Sequence, residues 1–319
     1  MQGLPMKIRS SYSLLGLTLL FCSGSLVPMK QSKKKLQFLT PLIGVSARQG
    51  LRPTMEDEHV AFFPFGDKSE WAFFGVYDGH SGDKASQTAA RLLHRFFLNE
   101  LLKNPNMGRG ILFENAFIRT EKQILEEKIT AGTTAIVAFL EEFILRLAWV
   151  GDSRAVVIRG NTIIVETKDH KPDVLQEKLR IEKVGGKVEK RSINDVWRIH
   201  GLAVSRALGD SAVKAAVPGG VIAIPEIERV IVKNNDVIVL ACDGLWDVMS
   251  NHEVAQMVNS LLQESAPALQ KKYPQVKHAG EKIQEEGDEY IKLIARALRD
   301  EAFKRGSTDN ISVMVVQLK

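Results

Sequence analysis

The sequence predicts an α+β fold in which antiparallel sheets pack against helices. Apolar, strand-like segments occur in adjacent pairs joined by short polar turns, and amphipathic helical segments occur in separate blocks. No strand–helix–strand alternation, which would indicate a parallel sheet, runs along the chain. With 319 residues, 45% of them hydrophobic, the chain can form one large or two ordinary domains with a sizeable core.

In the N-terminal half, the segment WAFFGVY (71–77) predicts a strand by its aromatic and β-branched residues. Residues 83–102 carry apolar side chains at helical spacing before the breaker NPN, which predicts a helix, and a second helix is predicted for 110–128. Two antiparallel hairpins follow, one in 133–152 with its turn at EE and one in 154–167 with its turn at RGN.

In the C-terminal half, the segment 172–186 predicts a helix closed by a glycine. The segment DVIVLACDG (236–244) is almost wholly apolar, so we expect a central strand buried on both faces. A helix is predicted from SNHEVAQMVNSLL (250–262), whereas the charged segment 263–288 is expected to be an exposed loop or extension. The chain closes with a predicted helix at 289–305 and a predicted strand at 310–318.

The charge is uneven along the chain. The net charge is +5, but residues 1–55 contain eight basic residues and no acid, which leaves 35 Lys and Arg against 38 Asp and Glu in the rest. A nucleic-acid surface on the folded body is therefore not expected, because phosphates need basic residues gathered on one face. Only Cys22 and Cys242 are present, which excludes a disulfide framework and a cysteine-rich zinc site.

Residues 1–40 form a basic leader with a short apolar segment, and residues 41–319 form the predicted folded domain. The leader fits a signal peptide, an organelle transit segment, or an anchor whose KQSKKK stretch is held at a membrane by anionic lipid. A cytoplasmic or membrane-tethered protein facing the cytosol is favoured, and secretory or organellar targeting by residues 1–27 stays open. The leader would thus permit membrane association.

Four short segments each carry an acid at the boundary of a predicted strand: TMEDEH with Glu56 and Asp57, VYDGH with Asp78, ACDGLWD with Asp243, and STDNIS with Asp309. A single such acid is usually a turn residue, so the inference depends on the set. If the strands lie in neighbouring sheets, the acids converge and would repel one another unless a cation lies among them. Apart from Arg52, no lysine or arginine lies within these motifs, and oxygen ligands indicate Mg²⁺ or Mn²⁺ rather than zinc.

With these segments in view, the chain resembles the metal-dependent serine/threonine protein phosphatases of type 2C. The resemblance spans roughly Gly44 to Leu318 and is carried in order by RPTMEDEH, FFGVYDGHSG, AGTTAIVAFL, LAWVGDSRAVV, LAVSRALGD, VIVLACDGLWDVMSNHEV and GSTDNISVMVV. It implies a four-layer α/β/β/α sandwich, in which two antiparallel sheets are flanked by helices and a metal cleft lies between the sheets.

The resemblance also implies a set of metal ligands. Asp78 would bridge two ions of Mg²⁺ or Mn²⁺. Asp243 and Asp309 would complete one ion, and Glu56 with the backbone carbonyl of Gly79 would hold the other.

Further roles carry over from the same motifs. Asp57 would order water at the metals, Arg52 would grip the phosphate, and His80 would act as the general acid. Asp152 and Asp247 match acids that help to hold a third, weaker ion in some members, although GDSR is also a good hairpin turn.

The activity implied is hydrolysis of phosphoserine and phosphothreonine on proteins by a water molecule that two metal ions activate, without a covalent phosphoenzyme. The expected partners are phosphorylated protein substrates in signal transduction, and we expect a monomer. The alternative is a catalytically weak or inactive phosphatase-like regulatory module, which would be expected to lack Asp78, Asp243 or Asp309, and all three are present. A different two-metal hydrolase, such as a phosphodiesterase, would carry more histidine ligands.

One departure from the family pattern concerns a local turn. Gly201 stands directly before Leu202, whereas the family usually has one residue between the glycine and this position.

Overall fold

The computed structural model describes residues 38–193, 195–275 and 282–319, so most of the predicted leader lies outside the described residues. The described part of the unit from Phe38 to Lys319 contains two large sheets, two small ones and eight helices. None of the helices in these ranges is long and apolar enough to cross a membrane.

In chain order the strands are β1 (Pro41–Arg48), β2 (Glu58–Phe62), β3 (Trp71–Tyr77), β4 (Gly79–His80), β5 (Gly132–Thr133), β6 (Ala135–Glu141), β7 (Ile144–Val150), β8 (Arg154–Arg159), β9 (Thr162–Glu166), β10 (Val188–Glu189), β11 (Arg198–Ile199), β12 (Leu208–Gly209), β13 (Glu226–Ile231), β14 (Val237–Ala241), β15 (Ile283–Gly287) and β16 (Ile311–Leu318). The helices are α1 (Lys84–Lys103), α2 (Arg109–Glu126), α3 (Leu175–Lys183), α4 (Ser211–Ala216), α5 (Asp243–Trp246), α6 (Asn251–Leu261), α7 (Ala266–Lys272) and α8 (Glu289–Lys304).

The two large sheets are antiparallel throughout. One has six strands in the order β15-β1-β16-β14-β8-β9, and the other has five in the order β13-β7-β6-β3-β2. Strands β6 and β7, and strands β8 and β9, form the two hairpins predicted from the sequence. The predicted α+β class with antiparallel sheets is therefore confirmed.

The side-chain alternation of the central strands explains the layers. In β3, Phe74 and Val76 pack between the two sheets, whereas Phe73 packs against α1 and α2 on the other face. In β14, Leu240 packs between the sheets and Val239 packs against the layer of α6 and α8. A strand covered on both faces needs apolar residues at every position, which is why DVIVLACDG carries no alternation.

The expectation of an exposed loop or extension at 263–288 is wrong as to the loop for the described part of that segment, although most of its residues are exposed. Its first part forms α7, where Leu269 is buried, and its last part forms β15, which pairs with β1 at the edge of the six-stranded sheet. The charged side chain of Glu285 lies inside because Arg296 and Arg299 of α8 bind it.

The departure at Gly201 has a simple structural form. The backbone N–H and C=O groups of Ile199 and Leu202 bond to each other at 2.9 Å, which closes a two-residue turn over His200 and Gly201. Both central residues have positive φ, 46° and 89°, as a type I′ hairpin turn requires. Glycine adopts the second conformation without strain, so a shorter connection is accommodated.

Candidate metal centre

The ends of two central strands open into one cavity. Strand β3 of the five-stranded sheet ends at Tyr77 and is followed by Asp78. Strand β14 of the six-stranded sheet ends at Ala241, and Asp243 opens helix α5 two residues later. Both acids line a cavity of about 490 Å³. Acids that are distant in the sequence thus meet because the two sheets face each other.

Two groups of side chains around Asp78 place ligand atoms close together. Asp78, Asp152 and Asp243 each offer one carboxylate oxygen, and these three oxygens lie within 4.8 Å of one another. In the second group, one oxygen of Asp78, one oxygen of Asp57 and the sulfur of Cys242 also lie within 4.8 Å of one another. Asp78 belongs to both groups, which is the position that a residue bridging two ions would occupy.

Burial and mutual repulsion disfavour the charged forms of these carboxyls. Burial raises the pKa of Asp78 well above its ordinary value, and the neighbouring Asp243 and Asp57 raise it further. Burial likewise raises the pKa of Asp243, with repulsion from Asp152 adding to the effect. Such carboxyls either take up protons or hold a cation, and a divalent ion satisfies several of them at once.

The buried side chain of Asp57 gives a second indication that this site binds a cation or ordered water. Its side chain is buried, and neither carboxylate oxygen has a hydrogen-bond partner among the described residues. Burial raises its pKa to about 6, with the neighbouring Ser312 and Cys242 opposing the shift. Because buried polar atoms are nearly always paired, these two oxygens mark a place for ordered water or a cation.

Cys242 is close to the acids but is a poor ligand in this setting. Burial raises the pKa of its thiol well above the ordinary value, and the nearby acids raise it further. The sulfur donates to the carbonyl of Asn310 at 3.3 Å and accepts from the N–H of Ser312 at 3.1 Å. The donors left for an ion are therefore oxygens, which suits Mg²⁺ or Mn²⁺ better than zinc.

The other predicted ligands line the same cavity, namely Glu56, Gly79, Asp247 and Asp309. Within the described residues, the side chains of Glu56, Asp247 and Asp309 do not join the two close groups. Glu56 accepts from the Thr54 hydroxyl at 2.8 Å and from the N–H of Gly82 at 3.1 Å. A Cβ at Gly79 would lie 2.4 Å from the Glu56 carbonyl oxygen, so only glycine allows these two segments to approach.

Arg52 lies at the rim of the cavity in the loop after β1. Its Nη2 donates to Asp309 Oδ2 at 2.5 Å, and its side chain is 56% exposed. The carbonyl of Arg52 accepts from the Gln49 side chain at 2.8 Å, which fixes the loop. The guanidinium is therefore anchored on one side and accessible on the other.

His80 is held by Asp210, an acid that was not among the predicted site residues. Its Nε2 donates to the carboxylate of Asp210, whose two oxygens lie 2.8 and 2.9 Å away. Asp210 is buried and adopts a left-handed conformation, with φ of 55°, before helix α4. In the sequence, the motif LAVSRALGD supports the family resemblance but does not indicate a contact with His80. That contact depends on the pairing of the short strands β4, β5 and β12.

Lys171 is a second residue that sequence reasoning missed. The backbone N–H of His170 donates to the carbonyl of Gly151 at 2.9 Å, which aligns Lys171 with Asp152, and the two side chains form an ion pair. Burial alone would lower the pKa of Lys171, but Asp152 and Asp243 raise it above its ordinary value. A lysine from outside the acidic motifs thus reaches the cavity and contributes a positive charge beside Asp152.

The signal for Lys171 was its place in KDHKP, directly after the second predicted hairpin. That hairpin includes β8, which pairs with β14. Strand β9 ends beside the start of β8, which pairs with the end of β14, so a lysine that follows β9 lies near Asp243.

Two facing antiparallel sheets, covered by helices and carrying an acidic cavity at their strand ends, define the class of protein as an α+β sandwich. The family model described as protein phosphatase 2C matches residues 42–311, and this chain belongs to the protein phosphatase 2C family. Membership confirms the resemblance drawn from the motifs. The family is metal-dependent, and the two close groups of ligand atoms fit that requirement.

Curated relatives cover most of the chain. Protein phosphatase 1F of Mus musculus is 33% identical over 306 residues, which cover 92% of this chain and 60% of that protein. Protein phosphatase 2C 77 of Arabidopsis thaliana is 34% identical over 337 residues, which cover 91% of this chain and 77% of that protein. The chain thus spans well under the full length of these relatives.

Solved structures show the same fold. A serine-threonine phosphatase 2C from Toxoplasma gondii superposes with a TM-score of 0.69 at 24% identity, covering 88% of this chain and 98% of that one. A structure described as a C. elegans sex determining protein superposes with a TM-score of 0.71 at 24% identity, covering 88% of this chain and 65% of that one. At this identity the likeness establishes the sandwich fold and nothing further.

Proposed function

We propose that this protein hydrolyses phosphoserine and phosphothreonine on protein substrates, using two ions of Mg²⁺ or Mn²⁺ held in the acidic cavity. The observation that carries the proposal is the place of Asp78 in both close groups of ligand atoms. The raised pKa values of Asp78 and Asp243 give an independent reason to expect cations there. No serine or cysteine nucleophile is needed, so no covalent phosphoenzyme forms.

The residues that would hold the ions are Asp78, Asp243, Asp309, Glu56 and the carbonyl of Gly79, with Asp152 and Asp247 placed for a third, weaker ion. The chemistry that such ions supply is acidification and orientation of a water molecule for in-line attack on phosphorus. Asp57, whose carboxylate oxygens have no partner among the described residues, would accept hydrogen bonds from water at the centre and orient it.

Arg52 is placed to bind the phosphoryl group of the substrate. Its planar guanidinium can donate two parallel hydrogen bonds, and its contact with Asp309 holds it at the rim before substrate arrives. Charge that builds on the phosphoryl oxygens would be met there by a preorganised donor.

His80 would donate a proton to the departing serine or threonine oxygen. Asp210 accepts from Nε2, which leaves Nδ1 as the ring nitrogen available to substrate. An alkoxide is a poor leaving group, and a positioned acid contributes about 10²–10⁴-fold to the rate of such a step.

The test is hydrolysis of a phosphothreonine peptide with Mg²⁺ or Mn²⁺ and with excess chelator. We expect turnover that chelation abolishes, and a loss of at least about 100-fold in kcat for Asp243→Asn, because a ligand is removed from the centre. Asp173→Asn is the matched control, since Asp173 is exposed and lies outside the cavity. Full activity in excess chelator would refute the metal-dependent mechanism.

A further inference from the structure

A second cavity, of about 670 Å³, adjoins the acidic one. Ser81 lines both, so the two cavities share a wall. One side of the second cavity is the chain that follows His80, residues 81–84. The other side is residues 128–131, which precede Gly132, the residue paired with His80 between β4 and β5. Both sides therefore continue directly from the ladder that positions His80.

The charge of this second cavity favours an anion. Three basic side chains line it, those of Lys84, Arg91 and Lys128, together with the acids Asp83 and Glu127. Both acids have partners within the protein: Glu127 binds Arg91 at 3.1 Å and Asp83 accepts from the Gln87 side chain at 3.0 Å.

The two lysines are the basic groups without a partner among the described residues. Because Gln87 is neutral, Asp83 keeps its charge, and three basic side chains against two acids leave the cavity with a net charge of +1. Within the described ranges, the ammonium groups of Lys84 and Lys128 form no ion pair and no hydrogen bond, and both side chains are exposed. Two cations are thus available to a ligand from opposite sides of one cavity.

Resting on the proposed function, we propose that this cavity binds an acidic side chain, Asp or Glu, of the protein substrate, a few residues from the phosphorylated one. His80 would donate to the oxygen of the phosphorylated side chain, so the substrate backbone that bears this oxygen must pass close to His80. Lys84 lies four residues after His80, and Lys128 lies four residues before Gly132, the strand partner of His80, so each lysine Cα lies within about 14 Å of the nearer member of that pair. Successive residues of an extended peptide advance about 3.3 Å each, so we expect a residue two to four positions away to come near the two lysines.

The test compares phosphothreonine peptides that differ only by Glu or Gln at positions two to four on either side. In low salt we expect kcat/KM to be about threefold to tenfold higher with Glu at one or more of these positions, as one or two partly exposed ion pairs would give. Raising the ionic strength should reduce the ratio, because these charges are accessible to salt.

Variants locate the effect. Lys84→Gln and Lys128→Gln should each lower the Glu-to-Gln ratio of kcat/KM toward one. Lys103→Gln is the matched control: it removes the same charge from the other end of α1, about 28 Å from Lys84 along the helix, and should keep the wild-type ratio. A wild-type ratio near one, or one that both cavity variants retain, overturns the proposal.

Two further outcomes are informative. A second peptide carries phosphoserine in place of Glu. If its kcat/KM relative to the Gln peptide is far higher than that of the Glu peptide, the carboxylate assignment is overturned in favour of a second phosphate. Lys128 could instead act only by stabilising the C-terminal end of α2 through its positive charge. Lys128→Gln would then lower Tm and leave the Glu-to-Gln ratio of kcat/KM unchanged, which also counts against the proposal. Failure of the phosphatase mechanism itself looks different, because no peptide would then be hydrolysed in a metal-dependent way.

Discussion

At Gly132 the backbone passes so close to the pair of His80 and Asp210 that no side chain fits. A Cβ there would lie 2.2 Å from Asp210 Oδ2 and 2.3 Å from His80 Nε2. We therefore expect Gly132→Ala to separate the pair and to lower kcat for a phosphothreonine peptide by about 10–100-fold, approaching the effect of His80→Ala. The loss should be smaller for an aryl phosphate, whose leaving group needs little protonation.

The control for this substitution is Gly108→Ala. A Cβ at Gly108 meets nothing within 4 Å, and its φ of −57° suits alanine. Equal losses with peptide and aryl phosphate in Gly132→Ala would indicate a general disturbance of the cavity rather than the loss of a proton donor.

Lys171 supplies a built-in cation for the acid that would hold the third ion. In Lys171→Gln, Asp152 loses its ion-pair partner and the cavity gains one uncompensated negative charge. We expect divalent ions to bind this variant more tightly, by about tenfold at the weakest site, which corresponds to about 1.4 kcal/mol. Calorimetric titration with Mn²⁺ measures this affinity independently of activity.

Lys168→Gln provides the comparison, because it makes the same charge change three residues away on an exposed side chain outside the cavity. An unchanged weak-site affinity in Lys171→Gln would show that Lys171 moves aside without a penalty when the ion binds.

Among the elements, strand β15 depends on a buried ion cluster more than on apolar packing. Glu285 is 7% exposed and accepts from Arg296 at 2.6 Å and from Arg299, which is fully buried, at 3.1 Å. The two arginines lower the pKa of Glu285 although burial opposes the shift. In Glu285→Gln the buried Arg296 loses its ion-pair partner, whereas Arg299 keeps Asp300 at 2.7 Å, so we expect a loss of about 3 kcal/mol in the free energy of unfolding.

Urea unfolding measures this loss, and Glu286→Gln is its natural control. Glu286 is the next residue on the same strand, and its side chain is 71% exposed, so its substitution should change stability by less than about 0.5 kcal/mol. Equal effects of the two substitutions would mean that β15 is held by its backbone pairing with β1.

The contrast between β14 and β15 shows which elements the sequence could predict. Strand β14 is buried on both faces by apolar side chains, and this composition is local information. Strand β15 carries Glu285, whose burial becomes favourable only through arginines on α8 that follow in the sequence. The charged composition of this segment therefore predicts a loop, because the arginines that bind Glu285 cannot be recognised from periodicity.

The candidate site divides in the same way. Asp78 and Asp243 could be found because each ends an apolar strand, and a set of such acids is informative. Lys171 and Asp210 could not, because one is positioned by the contact of His170 with Gly151 and the other by a two-residue strand pairing. Contacts made by one or two backbone hydrogen bonds produce no periodic pattern of apolar residues from which they could be predicted.

Over the whole molecule, the acidic cavity should make the metal-free protein less stable as the pH rises. Burial raises the pKa values of Asp78 and Asp243 well above 3.8, so the folded state keeps protons that the unfolded state has already released. The unfolded state then binds fewer protons, and the free energy of unfolding falls with increasing pH. One such proton corresponds to about 1.4 kcal/mol per pH unit.

Other groups define the pH window in which this effect can be observed. Burial lowers the pKa of His94 from 6.5 to about 4, so the unfolded state binds a proton there that the folded state does not, and stability rises with pH until about 6.5. At lower pH, hydrogen bonds from Arg206, Ser205 and Arg180 overcome burial and lower the pKa of Glu177 to about 2, so its contribution to stability is lost as the pH falls below about 4.5. Above about pH 6.5 neither of these groups contributes to the slope, so the acidic cavity should dominate there for as long as its carboxyls keep their protons.

We expect Tm of the metal-free protein to fall across this window by roughly 2–4 °C per pH unit for each retained proton, and Mn²⁺ to remove or reverse the slope. The ion holds the carboxylates ionised in the folded state, so its stabilising effect should grow as the pH rises. Asp243→Asn should flatten the metal-free slope, whereas Asp173→Asn should preserve it. A metal-free Tm that stays constant or rises from pH 6.5 to 8 would mean that Lys171 already neutralises the acids, and the charge argument for divalent ions would then fail.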